Sequence, residues 1–126
     1  MPQGILVFIE QRDNKLRKAS FEALGEATKL AQGEPVSCVV VGEDVSGLTA
    51  EIGKYKPQKI YTVNSPNLAS YSTEAYTQAV CEVVKKADPK YVFAANTAMA
   101  KDFLPRAAAR LGAPLVSDVT EFIADG

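Results

Sequence analysis

At 126 residues, with 47% hydrophobic and 23% charged side chains, the chain has the balance of one ordinary domain with a real core, which excludes a disordered polymer. Fourteen basic residues against fifteen acidic ones leave a net charge of −1, which argues against a dedicated nucleic-acid binder. Apolar runs such as 39–41 and 91–95 fall far short of the roughly 20 residues that cross a bilayer, so no membrane insertion is expected.

The start MPQGILVFIEQ lacks the basic stretch and small-residue cleavage site of a secretory signal and the Arg- and Ser-rich character of a transit peptide. The expected compartment is cytoplasmic. GILVFI, 4–9, reads as a strand buried on both faces, and the polar EQRDNKLRK after it as a loop. Phe21, Leu24, Ala27 or Thr28, and Ala31 recur at helical spacing until Gly33 and Pro35 stop them. VSCVVVG, 36–42, is a second strand. Ser46 is placed to cap a short helix that Gly53 and Pro57 end.

KIYTV, 59–63, is a third strand. The following helix is capped by Ser72 or Thr73, with Glu74 near its positive end, a stripe of Ala75, Ala79, Val80, Val83 and Val84, and Lys85 and Lys86 near its negative end. KYVFAAN, 90–96, is a fourth strand, and LVSDVTEFI, 115–123, reads as a fifth. Alternating strands and helices predict an α/β fold, with a mainly parallel sheet between helical layers. Sites in such sheets form outside the carboxyl ends of the strands, here the loops beginning near Gln11, Gly42, Asn64 and Asn96.

The common chemical signatures are missing. The chain has no histidine, no GxGxxG, no GxxxxGK[ST] and no GxSxG, so no catalytic constellation is expected. A phospho-receiver needs an acceptor Asp where the third strand ends, and the chain has Val63 and Asn64 there. Cys38 and Cys81 form no CxxC pair and read as reduced core thiols, and no metal site is expected.

The segment AANTAMAKDFLPRAAARLGAP, 94–114, carries the richest pattern. With Asp102 as N-cap, Pro105 falls at about the third helical position, where its missing N–H had no intrahelical partner. Asp102, Arg106 and Arg110 then share one face and Phe103, Ala107 and Leu111 another, before Gly112 and Pro114 end the helix. From Lys85 to Arg110 the chain has six cations against two anions. On one reading Asn96, Thr97 and Lys101 form an anion or nucleotide site at the helix start. On the other, Asn96 and Thr97 only close a turn, and Lys101 and the arginines are solvated or paired with acids.

The run TAMAKDFLPRAAARLGAP followed by VSDVTEF resembles the amino-terminal domain of the electron transfer flavoprotein alpha subunit. ILVFIEQRDNKLRKASFEALGEATKLA and KIYTVNSPNLASYSTEAYTQAV match that family's opening and middle, so the resemblance covers nearly the whole chain. It implies an adenine-nucleotide-hydrolase-like α/β/α layer acting as scaffold and interface in a heterodimer with a beta subunit. That complex passes electrons from dehydrogenases to a quinone oxidoreductase through FAD, which the carboxy-terminal domain of the alpha subunit mainly holds. AMP is usually in the beta subunit.

The family commonly has glycine where this chain has Ala100, and a methyl group there hinders close approach of a ligand to the backbone. The expectation is one α/β domain over 1–126, an incomplete amino-terminal domain of a longer two-domain subunit. The alternative is a stand-alone nucleotide-binding module resembling universal stress proteins, although the late glycine-rich phosphate loop of those proteins is missing here.

Overall fold

The computed structural model describes residues 4–12, 14–89, 91–95, 97–111, 115–116 and 121–123. Its centre is β1 (Ile5–Phe8), four residues buried without exception. A strand can be apolar throughout only if both faces are covered. Here Leu6 and Phe8 point into one core cluster, while Ile5, Val7 and the following Ile9 point into the other.

β1 is flanked by β4 (Val36–Gly42) and β6 (Tyr91–Phe93), with β5 (Ile60–Asn64) outside β4. All of these neighbours pair in parallel, in registers that set Ile5 opposite Val36 and Tyr91, and Cys38 opposite Ile60. The helices divide between the two faces. α1 (Lys18–Ala31) and the short α2 (Thr49–Gly53) cover the Ile5/Val7 face. α3 (Thr73–Ala87) and α4 (Ala98–Leu111) cover the Leu6/Phe8 face, giving the expected three layers.

The predicted fifth strand is two pieces. β7 (Leu115–Val116) and β8 (Glu121–Ile123) pair antiparallel, and β8 also runs antiparallel to β6, so the sheet order is β5-β4-β1-β6-β8-β7. Residues 117–120 alone separate them. Parallel pairing needs a crossover of about a dozen residues, so this link permits only the antiparallel arrangement. The predicted loop after β1 also contains structure: β2 (Gln11–Arg12) and β3 (Lys15–Leu16) make a small hairpin, with Asn14 left-handed at φ 62°.

Helix ends follow local chemistry. Ser72 caps α3 by accepting from the Ala75 N–H at 3.4 Å, which resolves the choice between Ser72 and Thr73. The expected Ser46 cap takes another form. Ser46 lies in a 3-10 turn before α2 and donates its hydroxyl to Asp44 at 2.7 Å. At the other end of β1, Gly4 is required: its φ is +79°, and a Cβ would lie 2.1 Å from the Pro35 carbonyl oxygen.

The α3/α4 face is tied together by rings. Phe8 meets Phe103 edge-on with centroids 4.9 Å apart, and Tyr76 sits 6.4 Å and 6.0 Å from the same two rings. Edge-to-face geometry adds to the area that each ring buries. Phe103 is fully buried, so Phe103→Ala is expected to cost about 3–5 kcal/mol, read as a lower urea midpoint at unchanged slope.

Candidate functional site

The chain runs from β1 outward through β4 to β5, then returns to the other side of β1 with β6. The crevice between the carboxyl ends of β1 and β6 is therefore the topological switch point, where open α/β sheets hold their ligands. Glu10, two residues beyond β1, fills it. This carboxylate is 4% exposed.

Every part of Glu10 has a partner. Its N–H donates to Ser20 Oγ at 2.7 Å, its carbonyl accepts from Arg17 N at 3.1 Å, and Oε2 lies 4.0 Å from Arg17 Nε. The Thr97 hydroxyl donates to Glu10 Oε1 at 2.6 Å and accepts from the Ala100 N–H at 3.2 Å. Thr97 is thus the working N-cap of α4, and Glu10 brings negative charge to the positive end of that helix.

This geometry corrects the helix start expected from the sequence. α4 begins at Ala98, so Asp102 is not its cap and Pro105 lies inside the helix. The Lys101 carbonyl has no N–H to accept from at Pro105. Both residues are exposed, where water is at hand for that carbonyl.

The expected polar face of α4 exists, and its partners are on α3 and the residues leading into it. Tyr71 and Thr73 each donate a hydroxyl to Asp102 Oδ2 at 2.5 Å. Arg106 pairs with Glu74 Oε1, and Arg110 reaches Glu74 Oε2 at 3.4 Å. The Thr73 hydroxyl, then that of Tyr71, holds the Asp102 carboxyl below its ordinary range, with Arg106 adding a smaller pull. Burial, then the bond to Asp102, pushes Tyr71 up to about 12.

Of the residues assigned to an anion site, Thr97 lies in the crevice bonded to Glu10, and Lys101 is exposed one turn into α4. Asn96 lies outside the described residues. Glu10 and Ser20 were missed by sequence reasoning. The available signal was position, because Glu10 is the first charged residue after the buried run of β1.

Next to this pair, Gln11 donates Nε2 to the Val41 carbonyl at 3.0 Å and accepts from Asn14 N at 2.9 Å. Gly42 makes that reach possible, since a Cβ there would lie 2.8 Å from Gln11 Nε2. Burial raises the Tyr76 hydroxyl; a bond with Gln11 opposes the shift and the Glu10 charge adds to it. Both cysteines are free and buried, and burial pushes Cys38 up to about 12, so it is a protonated core thiol at neutral pH. Among the described residues no cluster of three His, Cys, Asp or Glu could hold a metal, and no helix is long and apolar enough to cross a membrane.

A helix-covered, mainly parallel sheet with its switch point beside the central strand defines a three-layer α/β domain, here with a carboxylate in the crevice. Comparison with known proteins agrees with that class. The electron transfer flavoprotein domain model matches residues 5–126, and the chain belongs to that family.

It is 36% identical over 120 residues to the electron transfer flavoprotein subunit alpha of Thermoanaerobacterium thermosaccharolyticum, covering 94% of this chain and 36% of that relative. The Bacillus subtilis subunit alpha is 32% identical over 126 residues, covering 100% and 39%. An acryloyl-CoA reductase electron transfer subunit beta from Anaerotignum propionicum is 35% identical over 125 residues, covering 98% and 34%. The chain thus spans somewhat more than a third of the length of these relatives.

The family implies flavin in the parent complex. The crevice does not fit the pyrophosphate of FAD, because a phosphate there would meet the buried Glu10 carboxylate at close range.

Two outcomes test these contacts. Thr97→Val removes a cap and a donor to a buried carboxylate and is expected to cost about 2–3 kcal/mol in chemical denaturation, with Thr97→Ser restoring most of it. The Asp102 carboxyl is depressed in the fold, so its stabilisation is present above its unfolded value of about 3.9 and is lost as pH falls through the folded value. The melting-temperature gap between the parent and Asp102→Asn should therefore be steady above about pH 5 and close progressively as pH falls below the unfolded value.

Proposed function

We propose that this chain is a scaffold and subunit-interface domain of an electron transfer flavoprotein alpha subunit. It pairs with a beta subunit in a complex that carries electrons from dehydrogenases to a quinone-linked acceptor. FAD is held mainly by the carboxy-terminal domain of that subunit, and AMP, where present, belongs to the beta subunit. Residues 1–126 act as one α/β domain within that longer subunit.

The observation that carries this reading is the Glu10–Thr97 pair. A domain of this family that places its own carboxylate at the switch point keeps its architecture while filling its ligand position. The remaining role is mechanical: a sheet cross-braced by α3 and α4 offers a rigid surface on which another subunit can dock.

The reading of Asn96, Thr97 and Lys101 as an anion site belongs to the stand-alone nucleotide module. An anion reaching Thr97 would first have to displace Glu10 from the helix start.

Titrating the chain with ATP and AMP discriminates the two readings. The scaffold reading expects no micromolar binding, and saturable micromolar binding weakened by Lys101→Gln would favour the module. In reconstitution, the full alpha subunit with the beta subunit and FAD is expected to show flavin bleaching when a reduced dehydrogenase partner is added. An assembled, flavin-loaded complex that no dehydrogenase reduces would overturn the electron-carrier assignment.

A further inference from the structure

The β2–β3 hairpin leads directly into α1 and carries Arg12, Lys15, Arg17 and Lys18, all of them exposed. These four side chains, with the half-buried Leu16 and Ala19, line an open cleft of about 540 Å³. No acidic residue lines it among the described residues. Among the described residues, Arg17 alone of these four approaches a carboxylate, that of Glu10, at 4.0 Å.

The helix start beside the cleft sharpens the imbalance. Arg17 occupies the N-cap position of α1 without a side-chain cap bond, and the first turn has no acid. Cations at the positive end of a helix repel its dipole, by about 0.3–1 kcal/mol each where exposed. Elsewhere the chain uses the favourable arrangement, with Glu74 in the first turn of α3 and Glu10 at the start of α4. At α1 the buried Glu10 faces Arg17 alone, and the exposed Lys18 has no acid in the first turn beside it.

We infer that the hairpin and the start of α1 form a docking surface for an acidic segment of a partner protein. Arg12 and Lys15 face each other across the hairpin, and Arg17 and Lys18 carry the charge on into α1, so the cations extend from hairpin to helix start, which suits a row of carboxylates better than a single phosphate. Leu16 and Ala19 add apolar lining among the cations, and protein interfaces combine apolar and polar contacts in this way. Such a rim acts on encounter rate and salt dependence more than on contact energy. The inference goes beyond the scaffold reading, and its test needs no flavin, so either can fail alone.

The probe is a fluorescein-labelled octaglutamate peptide, followed by anisotropy with the chain at low and moderate salt. The triple variant Arg12→Gln, Lys15→Gln, Lys18→Gln leaves Arg17 beside Glu10. A second triple, Lys54→Gln, Lys85→Gln, Lys86→Gln, removes the same charge from other exposed positions. Binding at low salt is expected to weaken about tenfold in the first triple, less than about twofold in the second, and to fade as salt rises.

Lys18→Glu, whose new acid suits a helix start, should show the same direction of loss in a chain that stays folded. Equal losses in both triples would reduce the effect to net charge and overturn the proposal. So would inorganic pyrophosphate binding in the cleft and displacing the peptide at equal or lower concentration, which would make this a small-anion site.

Discussion

The hydrogen bond from Thr97 to Glu10 joins the two halves of the chain at the point where the sheet changes direction. Glu10 lies just beyond the first strand and Thr97 caps the last long helix, so one contact spans 87 residues of sequence. A carboxylate buried this deeply is tolerable only if it is fully engaged. Thr97 and Arg17 engage the carboxylate while Ser20 accepts from the Glu10 backbone N–H, and together they fix the paths of the hairpin, of α1 and of α4 relative to β1.

A second set of contacts works on the outer layer. Asp102 and the two arginines of α4 grip Tyr71, Thr73 and Glu74, which are the entry to α3. Exposed ion pairs of this kind add little stability singly. Their value here is alignment, because they set the helix pair over the Phe8, Tyr76 and Phe103 rings. The KDFLPR stretch that carries the family resemblance is thus a packing device. Phe103 and Leu104 face the core, while Asp102 and Arg106 face the neighbouring helix.

Most of the architecture was legible in the sequence because it is written in period. The wholly apolar β1, the valine-rich β4, the stripes of α1 and α3, and the Gly33 and Ser72 boundaries are local signals that the tertiary structure had no cause to override. Two misplacements have one origin, competition among short polar side chains. Asp102 looked like a cap because aspartate is a good one, yet two hydroxyls at the entry to α3 claim it, and Thr97 does the capping. Ser46 likewise donates to Asp44 where capping was expected. The antiparallel β7 and β8 were missed because an apolar run indicates strand without indicating direction.

The crevice shows why residue type alone could not decide between ligand site and structural corner. Thr97 at a helix start has the same chemistry whether its partner is a phosphate or a glutamate, and Glu10 lies too far away in sequence for spacing to connect them. The two outcomes differ in thermodynamics. A domain that borrows an anion from solution has a stability that rises with ligand concentration. One that carries the anion on its own chain just beyond β1 has that contribution at every concentration, at the cost of the binding function. For a domain serving as a fixed platform within a larger assembly, constancy is the useful property, and Glu10 provides it from inside the chain.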